Sequence, residues 1–285
     1  MSIENFILDK IKSSNNKITK SQTLVAEFIL KNPERSTYMT ANQIAMEVGV
    51  SDTTVIRFAT TLGYKRFTDL QDDFRNMIIN RTVQRLQTSN NKVGENNALS
   101  VSFQQDIENL KRTLEQIDET EFNEVVDSIG TANNIYIIGL RSSTADATYL
   151  GFSLNAMLGN VRVITNTGIE LEDCLLNSCQ KSIIIAFTYG RFTSTTVEVL
   201  QYLKSKKKCK VVTVTNSVHC PTIPFSDHIF LTEIESFTPL QSHVSSIALS
   251  NAFISAIGKK QRGKVENNLN TLEQYFNLTS TFHEK

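Results

Sequence analysis

No apolar run in this 285-residue chain is long enough to cross a bilayer, and no signal peptide opens it, so a cytoplasmic location is expected. Formal charge at pH 7 is zero, which argues against a general polyanion binder. The four cysteines, Cys174, Cys179, Cys209 and Cys220, form no C-x-x-C pair, and a chain of this size needs no staples. Reduced, mostly buried thiols are the default reading. His219, Cys220 and His228 follow no ordinary zinc spacing, so neither a metal nor a cofactor is expected. Four histidines with no serine or cysteine motif beside them give no nucleophilic triad.

What is present is unevenly distributed. Residues 1–90 hold 12 Lys and Arg against 9 Asp and Glu, whereas residues 91–285 hold 17 against 20. A mildly basic head on an acidic body has the sign expected of a DNA-binding module. Within that head, Ala41–Leu62 reads at helical period as two short apolar stripes. Ile44, Ala45 and Val48 form the first, and Val55, Phe58 (or Ala59) and Leu62 the second. Gly49 sits between them, where a positive φ costs a glycine nothing, and Ser51 follows as an N-cap. Two short helices on a glycine turn predict a helix-turn-helix, with the second helix free to enter a major groove.

The polar face of that second helix suits base edges. Ser51, Asp52, Thr53, Thr54, Arg57 and Thr61 are short or planar donors and acceptors, and Arg57 can pair bidentately with a guanine. Lys65 and Arg66 lie just beyond, placed for phosphates. The partner expected is double-stranded operator DNA. An ordinary helical hairpin with a solvated face is the competing explanation.

Along the chain, residues 1–38 read as helical lead-in. Leu24, Val25, Phe28 and Ile29 share a face, and Asn32-Pro33 is the stop. A helix resumes over Phe67–Leu86 through Leu70, Phe74, Met77 and Ile78. The asparagine-rich stretch Thr88–Ser100 has no period and reads as linker. Helical stretches Asp106–Ile117 and Glu121–Ile129 follow, then five β-rich runs, at Ile135–Gly139, Val161–Thr165, Ser182–Thr188, Lys210–Thr215 and His228–Thr232. Helices are expected between them at Thr144–Leu158, Ile169–Ser178 and Ser194–Lys207. Apolar strands alternating with helices predict a five-stranded, parallel, flavodoxin-like sheet, with ligand at its carboxyl edge. The closing amphipathic helices, Ser242–Ile257 and Val265–Phe276, are suited to the sheet or to a partner subunit. The run Lys204–Lys210 reads as a solvated helix end. The expected organisation is an all-α DNA-binding domain over residues 1–87, a linker over 88–104 and an α/β domain over 105–285.

Two loops in the α/β half end strands and open helices: Gly139-Leu140-Arg141-Ser142-Ser143-Thr144 and Thr188-Tyr189-Gly190-Arg191-Phe192-Thr193. Hydroxyls beside free helix amides suit a phosphate, and Arg141 and Arg191 add charge. Simple N-capping would need only one Ser or Thr per helix, and each loop has more.

Residues 39–67 resemble the helix-turn-helix of RpiR-family bacterial transcription regulators. The match is carried by Ile44, Ala45, Gly49, Val50, Ser51, Thr54, Val55, Arg57, Phe58, Leu62, Gly63, Tyr64 and Phe67. The second half resembles the sugar isomerase (SIS) domain of that family. The resemblance implies a homodimer, or a tetramer of paired dimers, whose SIS domain senses a phosphorylated sugar. Where SIS loops usually read glycine-x-glycine-x-serine, Gly139 and Ser143 match but Arg141 replaces the second glycine. Where they read Ser-x-Ser-Gly-x-Thr, Thr188 and Thr193 fit while Gly190 and Arg191 depart. Such an arginine either fills the pocket or contacts the phosphate itself. His243 stands where many relatives have an arginine.

The leading expectation is therefore a sugar-responsive transcription regulator, not an enzyme. Two others stand beside it. A phosphosugar aldose–ketose isomerase would need a base among Glu170, Glu172, Glu233 and Glu235, with His243 as an acid, but no spacing marks any of them. An SIS interaction module with a degenerate pocket is the other.

Overall fold

The computed structural model describes residue 10 and residues 18–32, 36–37, 39–74, 97–190, 192–218, 220–238, 240–279 and 281. Pro33, Met77, Ile78, Arg191, His219 and residues 88–96 of the expected linker lie outside them. The chain divides into two compact units, one containing residues 1–96 and a larger one containing 97–236 and 241–285.

In the first unit, helix α1 spans Lys20–Lys31 and opens on a reciprocal cap between Thr19 and Gln22. Its buried face is Gln22, Val25, Ala26 and Ile29. Leu24, expected on that face, is 46% exposed, because the inner stripe runs one position later than the apolar residues suggest. Gln22 holds the place by donating to Thr61 Oγ1 at 2.9 Å. Helix α2 (Ala41–Val48) opens on a second reciprocal cap, Thr40 with Gln43, and ends on Gly49 at φ +72. The amide of Val50 returns to the carbonyl of Ala45 at 3.0 Å, which closes the turn. Helix α3 (Asp52–Thr61) follows, with Ser51 accepting from the Thr54 amide. Ile44, Ala45, Val55, Phe58, Ala59 and Leu62 meet Val25, Ile29, Phe67, Leu70 and Phe74 in one cluster. Residues 67–74 are helical, and the buried Gln71 amide of that segment donates to the carbonyls of Ser36 and Met39 at 2.8 and 2.7 Å.

The second unit starts with α4 (Ala98–Gln116), eight residues before the expected Asp106. Helix α5 (Glu119–Thr131) then leads into β1 (Asn134–Gly139). The remaining elements alternate: α6 (Thr144–Leu158), β2 (Val161–Ile164), α7 (Ile169–Asn177), β3 (Ser182–Phe187), α8 (Ser194–Ser205), β4 (Lys210–Thr215), β5 (His228–Leu231), α9 (Val244–Lys260) and α10 (Arg262–Thr279). The five strands are parallel in the order β2-β1-β3-β4-β5. That is the flavodoxin-like order, which places the topological switch between β1 and β3.

Strand alternation divides the core. Ile135, Ile137, Ile183, Ile185, Val212, Val214 and Phe230 pack against α5, α6, α9 and Val265 of α10. Tyr136, Ile138, Ile184, Ala186 and Val211 pack against α7 and α8. Helix α9 therefore covers the sheet, whereas α10 joins the core through Val265 and leaves Leu269, Tyr275 and Leu278 exposed. The lysines of 204–210 are partly engaged, Lys204 pairing with Asp227 and Lys210 donating to Ser128 Oγ at 2.9 Å. No helix among the described residues is long and apolar enough to cross a membrane.

Two glycines matter here for different reasons. A Cβ on Gly49 would meet nothing within 4 Å, so only its left-handed backbone resists substitution. A Cβ on Gly139 would overlap the Ser143 carbonyl oxygen and sit 2.7 Å from Ala147 Cβ. Gly49→Ala should therefore cost about 1–2 kcal/mol, with an asparagine losing less. Gly139→Ala should cost more, because backbone must move. Denaturant unfolding of the two variants side by side tests the ranking, and equal losses would contradict it.

Candidate functional site

The turn of the helix-turn-helix is open: Gly49 and Ser51 are exposed. Asp52, Thr53 and Arg57 are exposed on α3, and Lys65 is exposed after it. Thr54 is half-buried, with its hydroxyl 2.9 Å from that of the capping Ser51. Asp52 accepts from the Thr53 amide at 2.6 Å, which fixes the first turn. Two expected contact residues are otherwise engaged. Thr61 turns toward α1, donating to the Arg57 carbonyl at 2.9 Å while accepting from Gln22. Arg66 is paired with Asp69 through Nε and Nη2 at 3.1 and 2.9 Å, and that pairing holds the Asp69 carboxyl below the usual range. Sequence reasoning missed Ile56, which is 45% exposed beside Arg57 and offers an apolar face. Its signal was present: it falls outside the buried stripe of Val55, Phe58 and Ala59.

In the second unit, the register pairs Gly139 with Phe187, so the loops after β1 and β3 leave the sheet side by side. Loop one tightens into a short turn over Arg141–Ser143 before α6 begins. Arg141 itself has φ +58 and is exposed. The arginine keeps the left-handed backbone that a glycine would adopt, so the loop path is retained despite the side chain. Ser142 is exposed, Ser143 is buried, and Thr144 donates to the Gly139 carbonyl at 3.1 Å. In loop two, Thr188 is buried and its amide bonds the Val214 carbonyl at 3.0 Å. Gly190 has φ +60, and its amide donates to Asn216 Oδ1 at 3.1 Å. The carboxamide of Gln241 lies against it, where a Cβ would intrude. Thr193 lies 2.7 Å from Thr196, hydroxyl to hydroxyl.

Neither Ser143 nor Thr193 spends its hydroxyl on a cap: α6 and α8 both begin without a side-chain cap hydrogen bond. Both helix N-termini thus stand at the switch point without a side-chain cap; the Thr144 amide that opens α6 bonds back to the Arg141 and Ser142 carbonyls, and the amides that remain suit an anion.

Tyr189, expected at the effector site, instead faces the core with Phe187 and Ile185, because the strand alternation of β3 continues through it. Burial pushes its phenol pKa up, and the nearby Asp146 carboxylate adds to the rise. Asp146 was not singled out by sequence, where it reads as a first-turn helix acid. It has no exposed surface, and it accepts from His243 Nδ1 at 2.7 Å and Ser246 Oγ at 2.5 Å. The Tyr189 ring meets His243 edge-on, centroids 5.6 Å apart. His243 therefore joins α6, which follows loop one, to the start of loop two.

The acids weighed for isomerase chemistry are scattered. Glu170 and Glu172 are exposed in the first turn of α7, and Glu233 accepts from Gln116 at 2.9 Å. Among the described residues no group of three or more His, Cys, Asp or Glu is arranged to hold a metal ion.

Comparison with known proteins follows the same division. Residues 5–93 match the helix-turn-helix domain of the rpiR family, and residues 128–258 match the SIS domain. The regulator HexR of Escherichia coli is 25% identical over 215 residues, covering 74% of this chain and 72% of its own. The sugar isomerase domain of an RpiR transcription factor from Sphaerobacter thermophilus superposes with a TM-score of 0.59 at 24% identity, over 62% of this chain and 99% of that one. The Vibrio vulnificus NanR protein complexed with ManNAc-6P gives a TM-score of 0.67 at 20% identity, over 95% of this chain and 97% of its own. With a glycine-turned helix pair in one unit and a five-stranded parallel sheet in the other, the chain belongs to the RpiR family of helix-turn-helix transcription regulators that carry a SIS domain.

Proposed function

We propose that this protein is a cytoplasmic, non-enzymatic regulator of carbohydrate metabolism whose operator affinity is adjusted by a phosphorylated sugar held between the two loops. The observation that carries the reading is the pair of uncapped helices, α6 and α8, beside Ser143 and Thr193 at the β1/β3 switch. Helix amides and the Ser143 hydroxyl suit a phosphate, and the Thr193 hydroxyl, paired with that of Thr196, lies beside them. Arg141, exposed at the mouth on a backbone already bent for close approach, supplies the positive charge. The phosphorylated ligand in the NanR structure gives a first compound to try, ManNAc-6P.

Response follows from linkage. Effector must bind one arrangement of the DNA-reading heads better than another, and the same coupling free energy, typically ~1–3 kcal/mol, then changes operator affinity. A homodimer is part of the proposal, since one head reads one half-site and a palindrome mirrors two-fold symmetry. On each head, Ser51, Asp52, Thr53, Thr54 and Arg57 face the bases, Ile56 adds contact for a thymine methyl, and Lys65 meets the phosphate backbone. Thr61 supports that face from the α1 side, and Arg66 is held at the surface by Asp69.

Arg57→Ala should cost about 1–3 kcal/mol of operator binding and relax selectivity at one base pair. Lys65→Ala should weaken binding to every sequence alike and flatten its salt dependence. Titrations of operator and scrambled duplexes at several salt concentrations separate these outcomes, and uniform weakening by Arg57→Ala would make it a phosphate contact.

For the effector, footprinting of the operator with and without ManNAc-6P and other sugar phosphates should show a ligand-dependent change in protection. Ser143→Ala should abolish that change while leaving operator binding without effector intact. Arg141→Gly should keep the fold and weaken effector binding by about 10- to 100-fold, the usual worth of a charged hydrogen bond. Tighter effector binding in Arg141→Gly would show instead that the arginine obstructs the site.

A further inference from the structure

At the opposite edge of the sheet, where β3 and β4 begin, three of the four cysteines gather around one turn. Cys179 is exposed, whereas Cys174 and Cys209 are fully buried. The turn is closed by the Ser182 amide, which donates to the Cys179 carbonyl at 2.8 Å, and the Ser182 hydroxyl accepts from the Cys179 amide at 3.1 Å. Ile183 is registered with Lys210, so Cys209 enters β4 directly beside this turn. The Cys209 thiol donates to the Cys179 carbonyl, sulfur to oxygen 3.4 Å. Standard backbone dimensions then put Cys179 Cα within about 6 Å of the Cys209 sulfur. A bridge usually needs Cα atoms ~4.4–6.8 Å apart, so forming one here requires the Cys179 side chain to turn inward past its own carbonyl, where the Cys209 sulfur already lies.

We propose that Cys179 and Cys209 form a hydroperoxide-reactive thiol pair, Cys179 the attacking sulfur and Cys209 the resolving one. The surroundings divide these roles. Hydrogen bonds from the Lys181 backbone and the Ser182 side chain, with the charges of Lys181 and Lys207 behind them, hold the Cys179 thiol below its ordinary pKa. Burial pushes Cys209 up. It pushes Cys174 up further, to about 12. An exposed thiol of lowered pKa beside cations, next to a shielded thiol, is the arrangement that oxidises selectively.

The chemistry balances in two steps. The Cys179 thiolate attacks one oxygen of the hydroperoxide, the O–O bond breaks, and the departing alkoxide or hydroxide takes a proton to give an alcohol or water. Cys179 is then a sulfenic acid. The Cys209 sulfur attacks that sulfur, its proton leaves with the hydroxyl as water, and the disulfide forms. Two thiols lose two electrons to the peroxide. The site lies at the amino edge of the sheet, away from both loops of the proposed effector site, so it stands or falls apart from that function.

The full-length protein treated with hydrogen peroxide, blocked with an alkylating agent and peptide-mapped provides the test. The expected result is loss of two free thiols, a bridge between the peptides of Cys179 and Cys209, and its reversal by dithiothreitol. Cys209→Ser should leave a Cys179 sulfenic acid that dimedone traps, and Cys179→Ser should leave Cys209 reduced. In the untreated protein, iodoacetamide should label Cys179 at least about tenfold faster than Cys174 or Cys209. Four free thiols after peroxide, a bridge through Cys174, or equal labelling rates would each overturn the proposal.

Discussion

Strand β1 ends on a glycine because helix α6 leaves no room for anything else. The space a Cβ would need at Gly139 is already taken by the Ser143 carbonyl and the Ala147 methyl. This close approach lets the helix begin within five residues of the strand, and it decides where the first turn of α6 points. Ser143 comes to the β1/β3 switch, and Asp146 is driven inward to meet the start of α9. A larger residue at the strand end would push the helix outward and carry both side chains with it.

Asp146 shows what this packing demands in return. A carboxylate with no exposed surface is costly unless donors surround it. Here they come from nearly a hundred residues later in the chain, through His243 and Ser246. The Tyr189 ring closes the other side of His243, so one imidazole touches structure that follows β1 and structure that follows β3. A ligand that shifts either loop therefore shifts a buried, hydrogen-bonded contact to α9. Packed interiors of this kind move between discrete arrangements and do not deform smoothly. Under the proposed function, such a contact gives effector binding a route to the rest of the subunit.

The parts of this architecture that the sequence made legible are those set by local chemistry. Strands such as Ser182–Phe187 are buried on both faces and read as unbroken apolar runs. The turn at Gly49 was visible because a glycine, a Ser cap and two apolar stripes coincide. The start of α4 was not, since Ala98–Gln105 follows an asparagine-rich stretch and its apolar residues mark no buried stripe, Leu99 and Phe103 being exposed. Thr61 and Leu24 show the same limit: Gln22 of α1 captures the threonine and displaces the leucine from the inner face. Period alone cannot show which polar residue will take a buried place. Asp146 was hidden for a related reason, because an acid in the first turn of a helix is ordinarily solvated and its partners lie in a distant segment.

Arg141 brings the local and the distant together. In sequence it is a departure, a large cation where a small residue would let backbone approach a ligand. In the structure the departure is confined to the side chain: the backbone keeps φ +58, at a strain of about 1–2 kcal/mol for an L-residue. Strain of that size persists where the surrounding structure enforces it, and here Gly139 and the short turn into α6 do so. The loop is thus shaped by the packing of β1 on α6, and the Arg141 side chain stands exposed at its tip. Change at position 141 can therefore alter the surface the loop presents without altering where the loop lies, and under the proposed function that surface meets the effector.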